Sequence, residues 1–398
     1  MIPRRVMIVA GEASGDLHGA RLVEAMSRRS RNLEFFGVGG KAMRAAGVSV
    51  EVEASRLSVV GLTEVIGRFP DLRRGLSAAK GWLRERRPDL LILIDFPDFN
   101  LHLAACARRL GIPVLYYIGP QIWAWRSGRV RKVRDRVRHM AVILPFEERF
   151  YRRHGVPATF VGHPLMDGTL PPVDEDFSRR LRGENRKERP DQRPNKRPDQ
   201  RPNQRWIGLL PGSRRGEIER ILPVLRDAAE RMAAADPTLA FAVSVSDSVE
   251  MDHVASILAR AADPGRFELV GGGVHRVLER ACLTVSASGT VTLEGALAGV
   301  PMIVVYRVSP ISYHLGRALI RVPFVSLVNL IAGREVVPEL LQDAAAPEAV
   351  ARLAGRLLAD EPALLRMRAD LLEVRKRMGP PGASERVAGI ALDLLSGI

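Results

Sequence analysis

Short, uninterrupted apolar runs alternate along this chain with longer stretches of helical period. Residues 6–10 (VMIVA), 33–37 (LEFFG), 90–94 (LLILI), 114–118 (VLYYI), 140–144 (MAVIL) and 159–161 (TFV) read as strands. Aliphatic runs of this length, bounded by polar turns, mark strands buried on both faces, as in parallel sheets. Helices are predicted over 15–27, after the glycine-rich turn of 39–47, and over 101–110. Val130, Val133 and Val137 add an apolar stripe to a helix that is otherwise mostly arginine. The pattern then stops and restarts. Strands are predicted at 206–210, 239–245, 267–270, 283–285 and 301–306, with helices over 220–234, 252–262, near 275–280 and from about 290. Two such series predict an α/β protein of two doubly wound, Rossmann-like domains, facing across a cleft, with C-terminal helices.

The break defines the organisation: a first domain over 1–168, a linker over 169–205, a second domain over 206–345 and a helical tail over 346–398. Residues 184–205, ENRKERPDQRPNKRPDQRPNQR, repeat an Arg-Pro-Asx-Gln/Lys unit and hold eight Lys/Arg against four Asp/Glu. Such a segment cannot bury a core and is expected to be a disordered or polyproline-like linker. In the tail, Leu353, Leu357, Leu358, Leu364, Leu365, Leu371 and Leu372 form amphipathic helices, expected to pack across the domains or on a dimer partner.

Composition narrows the class. With 398 residues and 46% hydrophobic content the chain can bury two cores. No run approaches the eighteen or so apolar residues of a membrane span. Arg4-Arg5 followed by 6–10 mimics a signal peptide, but the apolar part is too short and reads as a first strand. Cys106 and Cys282 lie in apolar contexts that fit core positions in a reducing compartment. The formal charge of +15 owes only a small part to the linker, so folded surface is basic as well. An anionic membrane, a lipid phosphate or a nucleic acid could each answer that field.

In doubly wound folds the chemistry lies in the loops that follow the strands. The first, AGEASGDLHG (10–19), lets the backbone approach a ligand at Gly11 and Gly15, with Glu12 or Asp16 available to hydroxyls; it lacks the ending of a Walker loop. Ser14 or Asp16 could equally cap the helix there, and His18 stands about one turn into it. In IDFPDFN (94–100) two carboxylates directly follow an aliphatic strand. Asp95, at the strand end, is the better general base, while Asp98 could equally cap the next helix. The loop 117–126, YIGPQIWAWR, sets Trp123 and Trp125 beside a basic helix as an acceptor wall, an interface anchor or a nucleic-acid platform. In the second series, LPGSRRGEI (210–218) begins a helix at Gly212-Ser213 and offers Arg214 to a diphosphate. Ser288, Gly289 and Thr290 open a helix whose N–H groups suit phosphate, and Glu294, one turn in, suits a ribose diol. An ordinary crossover capped by Ser288 or Thr290 has the same pattern. Finally, Asn329, Arg334 and Glu335 sit among apolar residues in 324–335.

Taken together, GEASGDLHGARL (11–22), GVGGKAM (37–43), VVGLTEV (59–65), IDFPDFN (94–100) and PQIWAWR (120–126) resemble the lipid-A-disaccharide synthase family. So do LPFE (144–147), FVGHPL (160–165), LPGSR (210–214), SGTVTLEGALAGVPMIVVYR (288–307) and VSLVNLIAGREVVPELLQ (325–342). The matches run in order over nearly the whole chain. The departures are the insertion at 184–205 and Gly119, where the family pattern has serine.

The resemblance implies a GT-B-type, inverting, metal-independent glycosyltransferase that needs no cofactor and works on the cytoplasmic face of the inner membrane. Its substrates would be UDP-2,3-diacylglucosamine and 2,3-diacylglucosamine 1-phosphate, its products UDP and the β-1′,6 disaccharide. Family functional positions matched here are Glu12, Asp95, Arg214, Glu294 and Asn329, with Asp98 in the same motif as Asp95. The first domain would then bind the lipid acceptor and the second the UDP-sugar. Asp95 would be the base, and Arg214 with the N–H groups of Ser288–Thr290 would hold the diphosphate, with Ser213 beside them. Glu294 would take the ribose, while Asn329, Gly333, Arg334 and Glu335 would line the donor side. Both substrates are acylated, so the apolar and basic stretch 59–83 is expected to admit acyl chains. Its apolar members Val59, Leu62, Val65, Phe69 and Leu72 would do so, docked through Arg68, Arg73, Arg74 and the helix beyond Arg126. The same residues could simply be core. A homodimer that exchanges the C-terminal helices fits the resemblance, though no residue pattern demands it. Rival readings are a related nucleotide-sugar enzyme, either an epimerase or a transferase with a soluble acceptor, and a basic RNA-binding protein. The ordered motifs argue against nucleic acid as a partner.

Overall fold

The computed structural model of the chain describes residues 3–54, 62–125, 127–168, 173–174, 177–184, 204–308 and 322–397, with backbone only for 62–69, 125 and 127. Its described residues form two compact units, 3–168 with 378–397, and 173–377. The first is built on β1 (Arg4–Ala10), β2 (Leu33–Gly39), β3 (Ser49–Glu53), β4 (Leu90–Ile94), β5 (Val114–Tyr117), β6 (His139–Val142) and β7 (Ala158–Phe160). All seven are parallel, in the order β3-β2-β1-β4-β5-β6-β7. The second holds β8 (Arg205–Leu210), β9 (Leu239–Ser244), β10 (Phe267–Val270), β11 (Ala281–Ala287), β12 (Met302–Tyr306) and β13 (Glu339–Leu341). These are also all parallel, ordered β10-β9-β8-β11-β12-β13.

Both sheets therefore wind outward in one direction from their first strand and then in the other. The order reverses between β1 and β4 in the first unit and between β8 and β11 in the second. Loops leaving the carboxyl ends of such neighbours depart to opposite faces and open a crevice, which is where these folds bind ligands.

Alternation along each strand splits the first core in two. Met7, Val9, Leu91, Leu93 and Tyr116 face the helix Pro97–Arg109, with Val130 and Val133 from the helix Val130–Arg136. Val6, Ile8, Ile92, Ile94, Leu115 and Tyr117 face Leu22, Val23 and Met26 of the helix Ala13–Arg29. Cys106 and Cys282 are buried, unpaired core residues. The edge strands β3 and β13 have no counterpart in the periodicity. Ser49–Glu53 (SVEVE) alternates with acidic residues, and Glu339–Leu341 is three half-buried residues long.

The leucine-rich tail divides. Its first two helices, Pro347–Ala359 and Glu361–Arg377, join the second unit, with Val350, Ala354 and Leu364 in that core. The last helix, Ala383–Ser396, covers the first unit with Val387, Ala388 and Ala391. A remote carboxylate starts it. Asp167 accepts hydrogen bonds from the backbone N–H groups of Gly382 (2.6 Å), Ala383 (3.1 Å) and Ser384 (3.3 Å). Arg386 donates to the Val161 carbonyl at 2.8 Å. Among the described residues, no helix is long and apolar enough to cross a membrane.

Because three orphan N–H groups depend on one side chain, Asp167→Ala is expected to cost about 1–2 kcal/mol. Hydrogen exchange should then speed up across 383–396 while amides of the second unit keep their protection. Uniform loss of protection in both units would contradict this local role.

Candidate active site

The reversal point of the first sheet is assembled around a strained turn. Asp95 and Phe96, directly after β4, both adopt left-handed backbone conformations, with φ of 47° and 50°. Asp tolerates that region; a bulky aromatic residue does so only when its surroundings hold it there. Here the Asp95 carbonyl accepts from Asn100 Nδ2 and from the Tyr116 hydroxyl, each at 2.7 Å, and Asn100 also reaches the Ile94 carbonyl at 3.2 Å. Burial of Tyr116 raises its pKa well above the ordinary range, with Asp95 adding to the effect, so it stays a donor. The Phe96 ring stacks on Phe99 and lies directly over Gly11, where a Cβ would stand 2.3 Å from the ring. Gly11 is thus a space requirement of the Phe96 turn.

On the neighbouring loop after β1, Glu12 is the extended, half-buried residue that starts the helix Ala13–Arg29. Asp16 is not available to a ligand. It is buried and accepts from the backbone N–H groups of Gly40 (2.6 Å), Ala42 (2.9 Å) and Met43 (3.1 Å), tying the loop after β2 to the first helix. Burial holds the His18 pKa down at about 4, with Arg21 acting in the same direction, so the ring is neutral near pH 7. Asp98 is exposed and pairs with Arg129 at 2.8 Å, fastening the end of the tryptophan loop to the turn that carries Asp95. Trp123 lies in a short helix, Ile122–Trp125, beyond β5; the side chains of Trp125 and Arg126 lie outside the described residues.

The second sheet repeats the arrangement. After β8 the chain turns at Gly212, with φ of 111°, and the helix Arg215–Ala235 begins with Arg214 as its N-terminal flanking residue, two positions later than the sequence pattern indicates. Ser213 and Arg214 are exposed. The delay has a physical cause: Glu217 folds back so that its carboxylate accepts from the Ser213 N–H at 3.2 Å. Burial raises the pKa of Glu217.

After β11, Ser288 donates to the Val325 carbonyl at 2.9 Å, and Gly289 precedes the helix Thr290–Ala298 without any side-chain cap. The first N–H groups of that helix are left for water or an anion. Glu294 is half-buried on this otherwise uncharged helix; burial raises its pKa, and His275 opposes the shift.

Asn329 has a different part from the one its motif suggests. It is fully buried, with Nδ2 donating to the Val337 carbonyl and to Glu339, each at 2.8 Å. Its Oδ1 accepts from the N–H groups of Val336 (2.8 Å) and Val337 (3.1 Å). An amide has two donors and two acceptor positions, so nothing remains for a ligand. Glu339 additionally accepts from the N–H groups of Val325 and Ser326 and from the Ser326 hydroxyl. Gly333 ends the helix Leu327–Ala332 with φ of 72°, while Arg334 is paired with Asp370 at 2.6 Å and Glu335 is exposed. The Ser288 contact connects this network to the Thr290 helix mouth.

Of the expected acyl-chain stretch, Val59 lies outside the described residues. Leu62, Val65, Phe69 and Arg68 lie on the helix Leu62–Arg86 with side chains outside the description. Leu72 and Leu76 pack against the first core, so this end of the stripe is structural, whereas Arg73 and Arg74 are exposed.

A family model described as lipid-A-disaccharide synthetase matches residues 6–376. A lipid-A-disaccharide synthase of Geobacter metallireducens is 44% identical over 392 residues, spanning 98% of this chain and 97% of its own. That of Myxococcus xanthus is 42% identical over 400 residues, spanning 99% and 98%. The chain belongs to the lipid-A-disaccharide synthase family. It is therefore a glycosyltransferase, and its fold agrees. A Staphylococcus aureus MnaA–UDP structure superposes with a TM-score of 0.63 at 14% identity, over 99% of this chain and 98% of that one. Acinetobacter baumannii MurG gives 0.56 at 14% identity, over 98% and 100%. At such identity these two speak for the α/β GT-B architecture alone.

Several groups that shape the site escaped the sequence reading. Tyr116 and Tyr151 look like strand and helix core. Glu147, Glu217 and Glu339 look like solvated helix or edge-strand charges, and only the positions of Glu147 and Glu217 in the segments after β6 and β8 hinted otherwise.

Gly11→Ala is expected to displace Phe96 from its stack and release the turn at Asp95. Overpacking of this kind costs about 1–3 kcal/mol, visible as a lowered Tm, and activity should fall further than stability. An unchanged Tm would show that the Phe96 ring moves aside freely.

Proposed function

We propose that this glycosyltransferase transfers 2,3-diacylglucosamine from UDP to 2,3-diacylglucosamine 1-phosphate, with inversion at the transferred carbon. The observation that carries the proposal is the coincidence of four of the five matched family positions, Glu12, Asp95, Arg214 and Glu294, with the two sheet reversal points. Glu12 and Asp95 follow β1 and β4; Arg214 and the Thr290 helix mouth follow β8 and β11. Residues that serve only as scaffolding would have no reason to collect at those four loops.

On this reading Asp95 accepts the proton of the acceptor's 6-hydroxyl as that oxygen bonds to the sugar C1. The bond from C1 to the diphosphate oxygen breaks in the same displacement, and its electron pair leaves with UDP. Charge grows on the diphosphate, where Arg214 and the uncapped N–H groups at 289–291 receive it. Preorganised donors of this kind are worth on the order of 3 kcal/mol each. Glu294 accepts from the ribose hydroxyls. Asp98, bound to Arg129, holds the tryptophan loop against the base rather than acting as a second base.

The lipid substrates call for work at a membrane surface, on the inner face of the inner membrane. The helix Val130–Arg136 buries Val130 and Val133 and exposes Arg131, Lys132 and Arg134, with Arg138 just beyond. With Arg73 and Arg74 these supply cations for anionic headgroups, each worth about 1 kcal/mol near such a surface.

Thin-layer detection of the disaccharide from the two acylated substrates tests the proposal. Asp95→Ala is expected to lower the rate by about 10²–10⁴-fold, as loss of a general base does, and Arg214→Ala by about 10²-fold or more. Wild-type rates in both variants would overturn the site. A wild-type enzyme that makes no disaccharide would overturn the substrates. Separately, the charge-reversed variant Arg131→Glu/Arg134→Glu should no longer sediment with vesicles containing anionic lipid at low salt. Equal sedimentation by both proteins would remove the basic helix from the membrane surface.

A further inference from the structure

We propose that Glu147 is the positioning residue of the aromatic loop at 120–125, holding Trp123 from beneath through a carboxylate–indole hydrogen bond. The proposal rests on the reading above that this loop walls the acceptor side. Glu147 lies on the helix Pro145–Arg153, which follows β6, and only 2% of it is exposed. Its Oε1 accepts from Trp123 Nε1 at 2.9 Å and its Oε2 from the Leu144 N–H at 3.0 Å. Phe146, the preceding residue, meets the Trp123 ring edge to face at 4.8 Å. The same helix holds the loop once more, where Tyr151 donates to the Pro120 carbonyl at 3.1 Å; a Cβ at Gly119 would run into Met140 of β6 and stand 3.2 Å from the Tyr151 hydroxyl. At Gly119, where the family pattern has serine, glycine leaves the space that Met140 fills.

A capping role alone would use one carboxylate oxygen, as an N-terminal glutamate often does toward the helix start. Here the second oxygen is spent on an indole more than twenty residues away in sequence. A charge buried this completely is costly, and it is retained where it fixes something. Both bonds need the ionised form. The protonated acid turns one oxygen into a donor, which then faces either an indole N–H or a backbone N–H, and one of the two bonds is lost.

Burial raises the Glu147 pKa to about 7, opposed by the bonds from Trp123 and from the backbone at Leu144 and Ile143. Its titratable neighbour is Tyr151, on the same helix, whose hydroxyl is held neutral by burial and by Glu147 itself. The sign follows. A carboxyl whose folded pKa lies above its unfolded value loses stability as pH rises from the unfolded toward the folded pKa. Between about pH 4.5 and 7 the wild-type fold therefore weakens as the loop is gripped more tightly.

The test follows the indole N–H resonance of Trp123 by ¹⁵N NMR, assigned with Trp123→Phe, together with acceptor kinetics from pH 5.5 to 8.5. In the wild type the resonance should titrate with a midpoint near 7, and the acceptor KM should fall as pH rises through that midpoint. Glu147→Gln should abolish both titrations and raise the acceptor KM about tenfold, more than it lowers kcat. Trp123→Phe, which keeps the edge-to-face contact and loses the donor, should give a similar KM. The double variant should be no worse than either single one, because both remove the same bond. An indole resonance indifferent to pH and to Glu147→Gln would overturn the proposal. So would additive effects in the double variant. If the wild type made no disaccharide while the indole still titrated, the functional reading would fail and the grip on Trp123 would stand.

Discussion

The first unit depends on one carbonyl. Asp95 must leave a strand buried on both faces and turn at once into a helix, and the chain does this by placing two consecutive side-chain-bearing residues in left-handed backbone conformations. Each such residue costs of order 1–3 kcal/mol where nothing compensates. The compensation is specific: Asn100 and Tyr116 both donate to the Asp95 carbonyl, Phe96 stacks on Phe99, and Gly11 vacates the volume the ring occupies. The geometry of a proposed base is thereby set by its own backbone, which a side-chain rotation cannot undo. The aspartate also lies at the one place in a seven-stranded sheet where neighbouring loops diverge.

The second unit reaches a comparable result with a carboxylate as its centre. Glu339 collects two backbone N–H groups, the Ser326 hydroxyl and the Asn329 amide, and Asn329 in turn fixes the backbone at 336 and 337. Polar networks in a poorly solvating interior are stable only when every member is satisfied. This one is, and its link through Ser288 leaves the Thr290 helix mouth uncapped while anchoring the loop in front of it. Asn329 acts by holding that segment in shape.

Much of this was legible in the residues. The strand at 90–94 and the strand at 267–270 fall where the apolar runs place them, and the doubly wound order follows from strand–helix alternation. The loops that bear Asp95, Arg214 and Glu294 could be found because strand ends are where such folds put chemistry. What escaped was longer in range. Nothing near Asp16 in sequence announces that it will cap a segment at 40–43, and Asp167 finds its partners more than two hundred residues on. The tail's leucines gave amphipathicity but no address, and the division after Arg377 depends on Asp167 receiving the start of the final helix. The stripe at 59–76 fits both a lipid doorway and a core in its periodicity; contacts assign Leu72 and Leu76 to the core.

A common rule separates the carboxylates of this molecule. Asp16, Asp167, Glu147, Glu217 and Glu339 are among those that take backbone N–H groups and shape loops; the first four follow β1, β7, β6 and β8, and Glu339 opens β13. Loops at such ends carry more N–H groups than the sheet can satisfy, and an unpaired buried donor costs about 1–3 kcal/mol. A carboxylate with two oxygens can accept several at once, which a serine cannot. Glu294 differs: burial dominates its surroundings and His275 supplies the opposing charge. A carboxylate desolvated without matching backbone donors is poorly placed to support a fold and well placed to receive hydroxyls from outside. By that physical distinction, more than by position in a motif, Glu294 suits the substrate-facing role proposed for it, and the saturated Asn329 suits a role in building the loop around it.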